Sequence, residues 1–241
     1  MKLTLVTCLA LSAIAAFAQT PPPTVPLSND PPENPGKIDP ALPTIFIAGD
    51  STAARAKSPQ QGWGVEFAKY LDLTKVNLSN RALGGRSSRT FITQGWWDKL
   101  LADVKAGDWV LIQFGHNDTS PVNEDPSTPR EKMRSRGSLP GLGEETQDIV
   151  NVLTEKPETV RTFGSYMRQM IRDVRAKGAT PIVLSPTLRN QWQDGKIGRG
   201  GPHRAWAREL AQAEGVWFVD VSRLLADAYQ QLGEEHVKTF F

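Results

Sequence analysis

Five short strand-like runs, with helical stretches between them, constrain this chain more than any other feature. They fall at residues 44–48, 76–79, 109–114, 180–184 and 216–219. Runs of this length, rich in β-branched and aromatic residues and bounded by turn formers, read as buried strands. Between them, residues 65–71 have helical spacing and residues 96–106 stop at Gly107. Val160, Phe163, Met167, Met170, Ile171 and Val174 then follow three/four spacing up to Gly178, the usual way an amphipathic helix is written and ended. Two further helical stretches, 205–213 and 223–233, stop at Gly215 and Gly233. Such alternation is the βαβ pattern of a mostly parallel sheet.

The expected fold class is therefore α/β: a three-layer α/β/α sandwich on a five-stranded parallel sheet, in flavodoxin-like order. In such sheets chemistry collects outside the C-terminal ends of the strands. The first strand ends in Gly49-Asp50-Ser51, which makes Ser51 a candidate nucleophile on a tight turn. Gly, Asp and Ser are also ordinary turn formers, and the stretch alone fits a plain strand-to-loop corner.

Residues 1–18 read as an export signal. Lys2 gives the positive start, a short apolar core follows, and Ala16-Phe17-Ala18 forms a cleavage site. Residues 19–43 are dense in Pro, Asn, Asp and Ser and read as a leader, leaving residues 44–241 as one domain. The expected location is secreted or periplasmic. Cys8, the one cysteine, lies inside the signal, so the mature chain has neither a disulfide nor a thiol nucleophile. Removing Lys2 leaves 27 basic residues against 26 acidic ones. That balance gives no electrostatic footprint for nucleic acid or an anionic membrane.

Two stretches do not fit a crossover. Residues 118–158 are long, polar and rich in Pro, Gly and charge, and residues 189–202 carry Trp192 and four glycines. Both follow strands and overhang the same end of the sheet as Ser51. Charge and rings over a site suit a sugar, although solvated loops share that composition.

Acyl transfer needs a nucleophile, donors for the developing oxyanion, and a base. The second strand leads into Gly84-Gly85-Arg86-Ser87-Ser88-Arg89, where paired glycines let backbone N–H groups approach a ligand. The third ends in Gly115-His116-Asn117-Asp118, which brings an amide to the same edge. Each alone is a turn; together, after successive strands, they form a constellation.

These three blocks resemble those of the SGNH (GDSL-type) hydrolases. Gly49-Asp50-Ser51-Thr52-Ala53, Gly85-Arg86-Ser87-Ser88-Arg89, residues 137–145 and Pro186-Thr187-Leu188-Arg189-Asn190 resemble the rhamnogalacturonan acetylesterase branch, carbohydrate esterase family 12. The resemblance implies Ser51 as nucleophile, with its own N–H, the Gly85 N–H and the Asn117 amide as oxyanion donors. The resemblance implies Gly85 rather than Gly84, because Gly85 stands at the family's spacing from Asn80. The resemblance also implies a secreted esterase that deacetylates plant cell-wall polysaccharide, with no cofactor or metal and an acetylated acidic polysaccharide as its partner. No nucleic acid or membrane partner and a monomeric state are expected. Arg86, Arg89 and Arg189 are candidates to hold uronate carboxylates. An α/β-hydrolase fits less well, because Gly49-Asp50-Ser51-Thr52-Ala53 lacks the last glycine of G-x-S-x-G. A lipid or thioester hydrolase would want an apolar groove where this chain has arginines.

The family's Asp-x-x-His pair, base and orienting carboxylate, does not occur after the fifth run. The expectation is that it follows Phe241 in a longer protein. The alternative is a truncated homologue that binds sugar without turnover. His116 reads as a loop residue, His203 as a surface or substrate-loop contact, and His236 as a terminal one. Asp220 reads as a helix cap.

Overall fold

The computed structural model describes residues 38–56 and 61–241. The export signal and residues 19–37 of the leader lie outside the described residues. In chain order the elements are β1 (Thr44–Gly49), α1 (Trp63–Glu66), β2 (Asn77–Asn80), α2 (Ser88–Thr93), α3 (Trp96–Asp103) and β3 (Trp109–Gln113). Then come β4 (Thr146–Asn151), β5 (Lys156–Arg161), α4 (Phe163–Ala176), β6 (Thr180–Leu184), β7 (Trp192–Gln193) and β8 (Lys196–Ile197). The chain closes with α5 (Pro202–Ala213), β9 (Trp217–Val219), α6 (Val221–Leu232) and α7 (Glu234–Val237).

The sheet runs β2-β1-β3-β6-β9 with every neighbouring pair parallel. This is the expected five-stranded order, and it puts β1 between β2 and β3. Alternation along β1 explains the layers. Phe46 and Ala48 face one core, packed with Phe91, Trp97, Phe163 and Leu210 from α2, α3, α4 and α5. Ile45 and Ile47 face the other, with Trp63 and Phe67. Full burial of side chains this size contributes about 1.5–3 kcal/mol each.

Caps set several helix starts. Thr162 accepts a hydrogen bond from Ser165 N to open α4, and Ser87 accepts one from Thr90 N to open α2. Asp220 caps α6 as expected, accepting from Arg223 N. The same carboxylate meets the Arg204 and Arg208 guanidinium groups of α5, which hold it well below the usual carboxylate range.

The long polar stretch departs from the expected loop. It contains an antiparallel hairpin, β4 against β5. Val160 belongs to β5 rather than to the helix, which starts at Phe163. Its side chain is buried, so it continued the helical spacing by coincidence of position. Trp192 does not stand over the cleft as a free ring: it packs beside Leu188, Ile197 and Ala226.

Candidate active site

The corner after β1 is built by Asp50. Its carboxylate folds back to accept from Thr52 N at 2.9 Å and Thr52 Oγ1 at 2.8 Å. Its carbonyl accepts from Ala53 N and Ala54 N at 3.2 and 3.1 Å. Asp50 is buried while Ser51, at the apex, is exposed. Burial pushes the Asp50 carboxyl up, against the pull of His116 and Thr52.

Neighbouring strands deliver the other pieces. Leu83 N donates to Gly49 O at 3.0 Å, which clamps the exit of β2 onto β1. The next turn carries Gly85 at φ 76°, in the left-handed region that glycine tolerates best. Asn117, at the exit of β3, donates Nδ2 to Arg86 O at 2.8 Å, tying that exit to the Gly85 turn. Among the described residues, neither the Ser51 nor the Gly85 backbone N–H donates a hydrogen bond. Such N–H groups beside an exposed hydroxyl can receive an oxyanion.

Asp118 was not singled out by the sequence reading, yet it fixes this arrangement. Its buried carboxylate accepts from Ser88 Oγ at 2.5 Å, from Ser88 N at 3.2 Å and from Ser138 Oγ at 3.0 Å. Burial pushes its carboxyl up against those hydrogen bonds. The only available signal was its place beside Asn117.

The three candidate arginines have different fates. Arg86 is half-buried on the Gly85 turn, and Arg189 is exposed with Nη2 donating to His116 O at 3.3 Å. Arg89 is not a ligand contact. It is fully buried, with Nε and Nη2 on Glu158 at 2.7 and 2.8 Å and Nη1 on the carbonyls of Val122 and Gly137. Placing it in the substrate set is corrected by that pairing.

The histidines separate as well. His116 Nε2 lies 3.0 Å from Thr187 Oγ1, in hydrogen-bond contact. Of the two readings of His203, a surface position is corrected: it is buried edge-on against Phe163 and Trp206, and burial pushes its imidazole down toward the neutral form. His236 is exposed against Phe240. Among the described residues, no side chain hydrogen-bonds the Ser51 hydroxyl. A cavity of about 310 Å³, lined by His116, Thr187, Arg189 and His203 among others, opens over the neighbouring strand ends. Among the described residues no cluster of three metal-ligating side chains occurs, and no helix is long and apolar enough to cross a membrane.

Residues 47–238 match the profile of the GDSL-like lipase/acylhydrolase family. A rhamnogalacturonan acetylesterase from Emericella nidulans is 35% identical over 200 residues, 82% of this chain and 75% of that protein. A Bacillus subtilis protein described as a probable rhamnogalacturonan acetylesterase is 28% identical, over 82% of this chain and 78% of its own length. The crystal structure of YxiM from Bacillus subtilis superimposes with a TM-score of 0.63 at 26% identity, covering 83% of this chain and 49% of that one. The chain thus spans about three quarters of the first two relatives and about half of YxiM. By its profile match and its similarity to these relatives, the chain belongs to the GDSL-like lipase/acylhydrolase family of carboxylic ester hydrolases.

Proposed function

We propose that this chain is an exported serine esterase that removes acetyl groups from an acidic pectic polysaccharide of the rhamnogalacturonan type. The observation that carries the chemistry is Ser51, exposed just after the end of β1, with backbone N–H groups at Ser51 and Gly85 that are uncommitted among the described residues. The names of two relatives support the substrate class, and the signal-like residues 1–18 support export.

In this reading Ser51 Oγ attacks the acetyl carbonyl carbon, and its proton passes to a base. The negative charge that develops on the carbonyl oxygen is met by the Ser51 and Gly85 N–H groups and the Asn117 amide. Asn117 already spends one amide proton on Arg86 O and keeps the other for the oxyanion. The C–O bond to the sugar breaks, the sugar hydroxyl leaves protonated, and water then releases acetate from the acetyl-serine.

The test is acetate release from acetylated pectin by the full-length natural protein. Ser51→Ala is expected to reduce release to near background with an unchanged melting temperature. Asn117→Ala is expected to lower turnover by about 10²–10³-fold. Release that persists in Ser51→Ala removes Ser51 from the mechanism. Tight sugar binding with no release by the natural protein would favour a binding protein built on an esterase fold.

A further inference from the structure

Two guanidinium groups flank the Gly85 turn, and among the described residues no carboxylate touches either. Arg86 folds back to donate Nη1 to Gly84 O at 2.8 Å, and its Nε is buried without a partner. Arg136 reaches the same turn from the long excursion between β3 and β4. It donates Nη1 to Gly85 O at 3.1 Å and Nε to Ser120 Oγ at 3.2 Å. Its Nη1 lies 3.0 Å from where a side chain on Gly85 would begin. Both side chains are half-buried. Arg81, Arg89 and Arg204, by contrast, each meet an acid.

The nearby carboxylates hydrogen-bond to other groups. Asp118 accepts from Ser88 and Ser138, and Asp50 accepts through Oδ1 from Thr52, its buried Oδ2 having no hydrogen-bond partner among the described residues. Burial depresses both guanidinium groups; for Arg136 the charges of Arg134 and Arg86 add to it, and those of Asp50 and Asp118 oppose it without cancelling it. Two partly desolvated like charges on one turn are costly to hold, and a bound anion relieves that cost.

The placement of Arg136 is also enforced. Ser135, just before it, is a buried non-glycine residue at φ 36°, with Oγ accepting from Glu124 N at 2.9 Å. Backbone strain of this kind costs about 1–3 kcal/mol and persists where the surroundings over-determine it. Here Gly137, on the other side of Arg136, is pinned through its N–H to Pro121 O and through its carbonyl to Arg89.

We propose that Arg86 and Arg136 together form a carboxylate subsite beside the oxyanion turn, seating the uronate of a sugar next to the acetylated one. The subsite sets a preference for acidic over neutral acetylated polysaccharide. It rests on the reading of Ser51 and Gly85 as an ester-cleaving site. A planar guanidinium fork suits a carboxylate in a way an ammonium does not.

Two measurements on the natural full-length protein test it. The first is calorimetric titration with a galacturonic-acid oligosaccharide, set against the same oligosaccharide with its carboxyl groups reduced to alcohols. Wild type is expected to bind the acidic form at least about tenfold more tightly, and Arg136→Gln to lose about that factor. Arg136→Lys is expected to restore little of it. Because Arg136 also supports Gly85 O, Arg86→Gln is the second variant, with the same expected loss. Equal affinity of wild type for the two forms, or a preference unchanged in both variants, overturns the subsite. Displacement of the oligosaccharide by equimolar acetate would assign the arginines to the product anion and also overturns it. The second is the kcat/KM ratio for an acetylated acidic oligosaccharide over an acetylated neutral sugar. That ratio is expected to fall about tenfold in Arg136→Gln, through KM. A wild type that binds the acidic sugar selectively but does not deacetylate it keeps the subsite and defeats the esterase reading alone.

Discussion

Two excursions leave the sheet on the side of Ser51, and they are built differently. The one between β3 and α4 is pinned to the site by buried polar bonds. Arg89 holds Glu158, Asp118 holds Ser138, and Arg136 holds Gly85 O. The one between β6 and α5 is a two-residue-per-strand hairpin, β7 and β8, tied to α6 by Gln230 and a small apolar cluster. Polar bonds fix orientation to a few tenths of an ångström, whereas a small apolar cluster tolerates repacking. The first excursion is therefore a rigid wall of the site and the second an adjustable one.

The largest expected effect comes from cutting the wall's anchor. Arg89→Ala leaves the partly buried Glu158 carboxylate with Asn151 alone and two carbonyls without their partner. The expected loss is about 3–5 kcal/mol, measured by urea unfolding. A loss below about 1 kcal/mol would mean that the wall stands without its ion pair.

The same substitution made in each excursion sharpens the contrast. An added Cβ at Gly137 would sit 1.8 Å from Ser120 O, whereas at Gly195 it meets nothing within 4 Å. Gly137→Ala is expected to cost about 3 kcal/mol and to lower turnover as Arg136 moves with it. Gly195→Ala carries only the left-handed backbone penalty at φ 70°, about 1 kcal/mol, and is expected to spare turnover. Equal costs at the two positions would erase the distinction between the walls.

The smallest effect is one of pH. Burial pushes Glu158 up, but hydrogen bonds from Arg89 and Asn151 and the Arg89 charge outweigh it and hold the carboxyl below its ordinary value of 4.5. Such a group stabilises the fold above its unfolded pKa and loses that contribution as the pH falls through the folded one. Asp118 has the opposite sign: burial raises it, so its cost is present at neutral pH and vanishes on acidification. Glu158→Gln keeps the shape and removes the titration. Its stability is expected to decline less steeply than that of wild type below about pH 4.5. Parallel acid limbs in a urea–pH series would show that Arg89 does not hold Glu158 as described.

The sheet and its order were legible chiefly because β1, β3 and β6 are apolar runs with largely covered faces, whereas β2 is mostly polar and the edge strand β9 is exposed at Trp217. The corner at Ser51 was legible for the same reason, as the abrupt end of such a run. The β4–β5 hairpin was not. Its residues are mostly exposed, with Val160 as its one buried apolar side chain, so no period-two pattern survives. Helix α2 was hidden by its own cap, because Ser87, Ser88 and Thr90 read as turn chemistry until their hydrogen bonds are seen. The two arginines of one turn could not be separated, since the acid that claims Arg89 lies 69 residues further along. Arg136 left no signal at all: its role depends on a carbonyl 51 residues away.

Asp220 has a consequence for how the molecule opens. One carboxylate joins the start of α6, two arginines of α5 and, through Ser185 Oγ at 3.3 Å, the end of β6. Strand β9 lies at the sheet edge and pairs with β6 alone. The hub couples α5, β9 and α6, although α5 is also held in the main core through Ala207, Leu210 and Ala211, so the three elements are expected to open together as one unit of local unfolding. Amide protons in α5 and α6 would then exchange with a shared opening free energy, even though the two helices are separate in sequence. The exposed last strand is expected to peel away more readily once its carboxylate hub lets go.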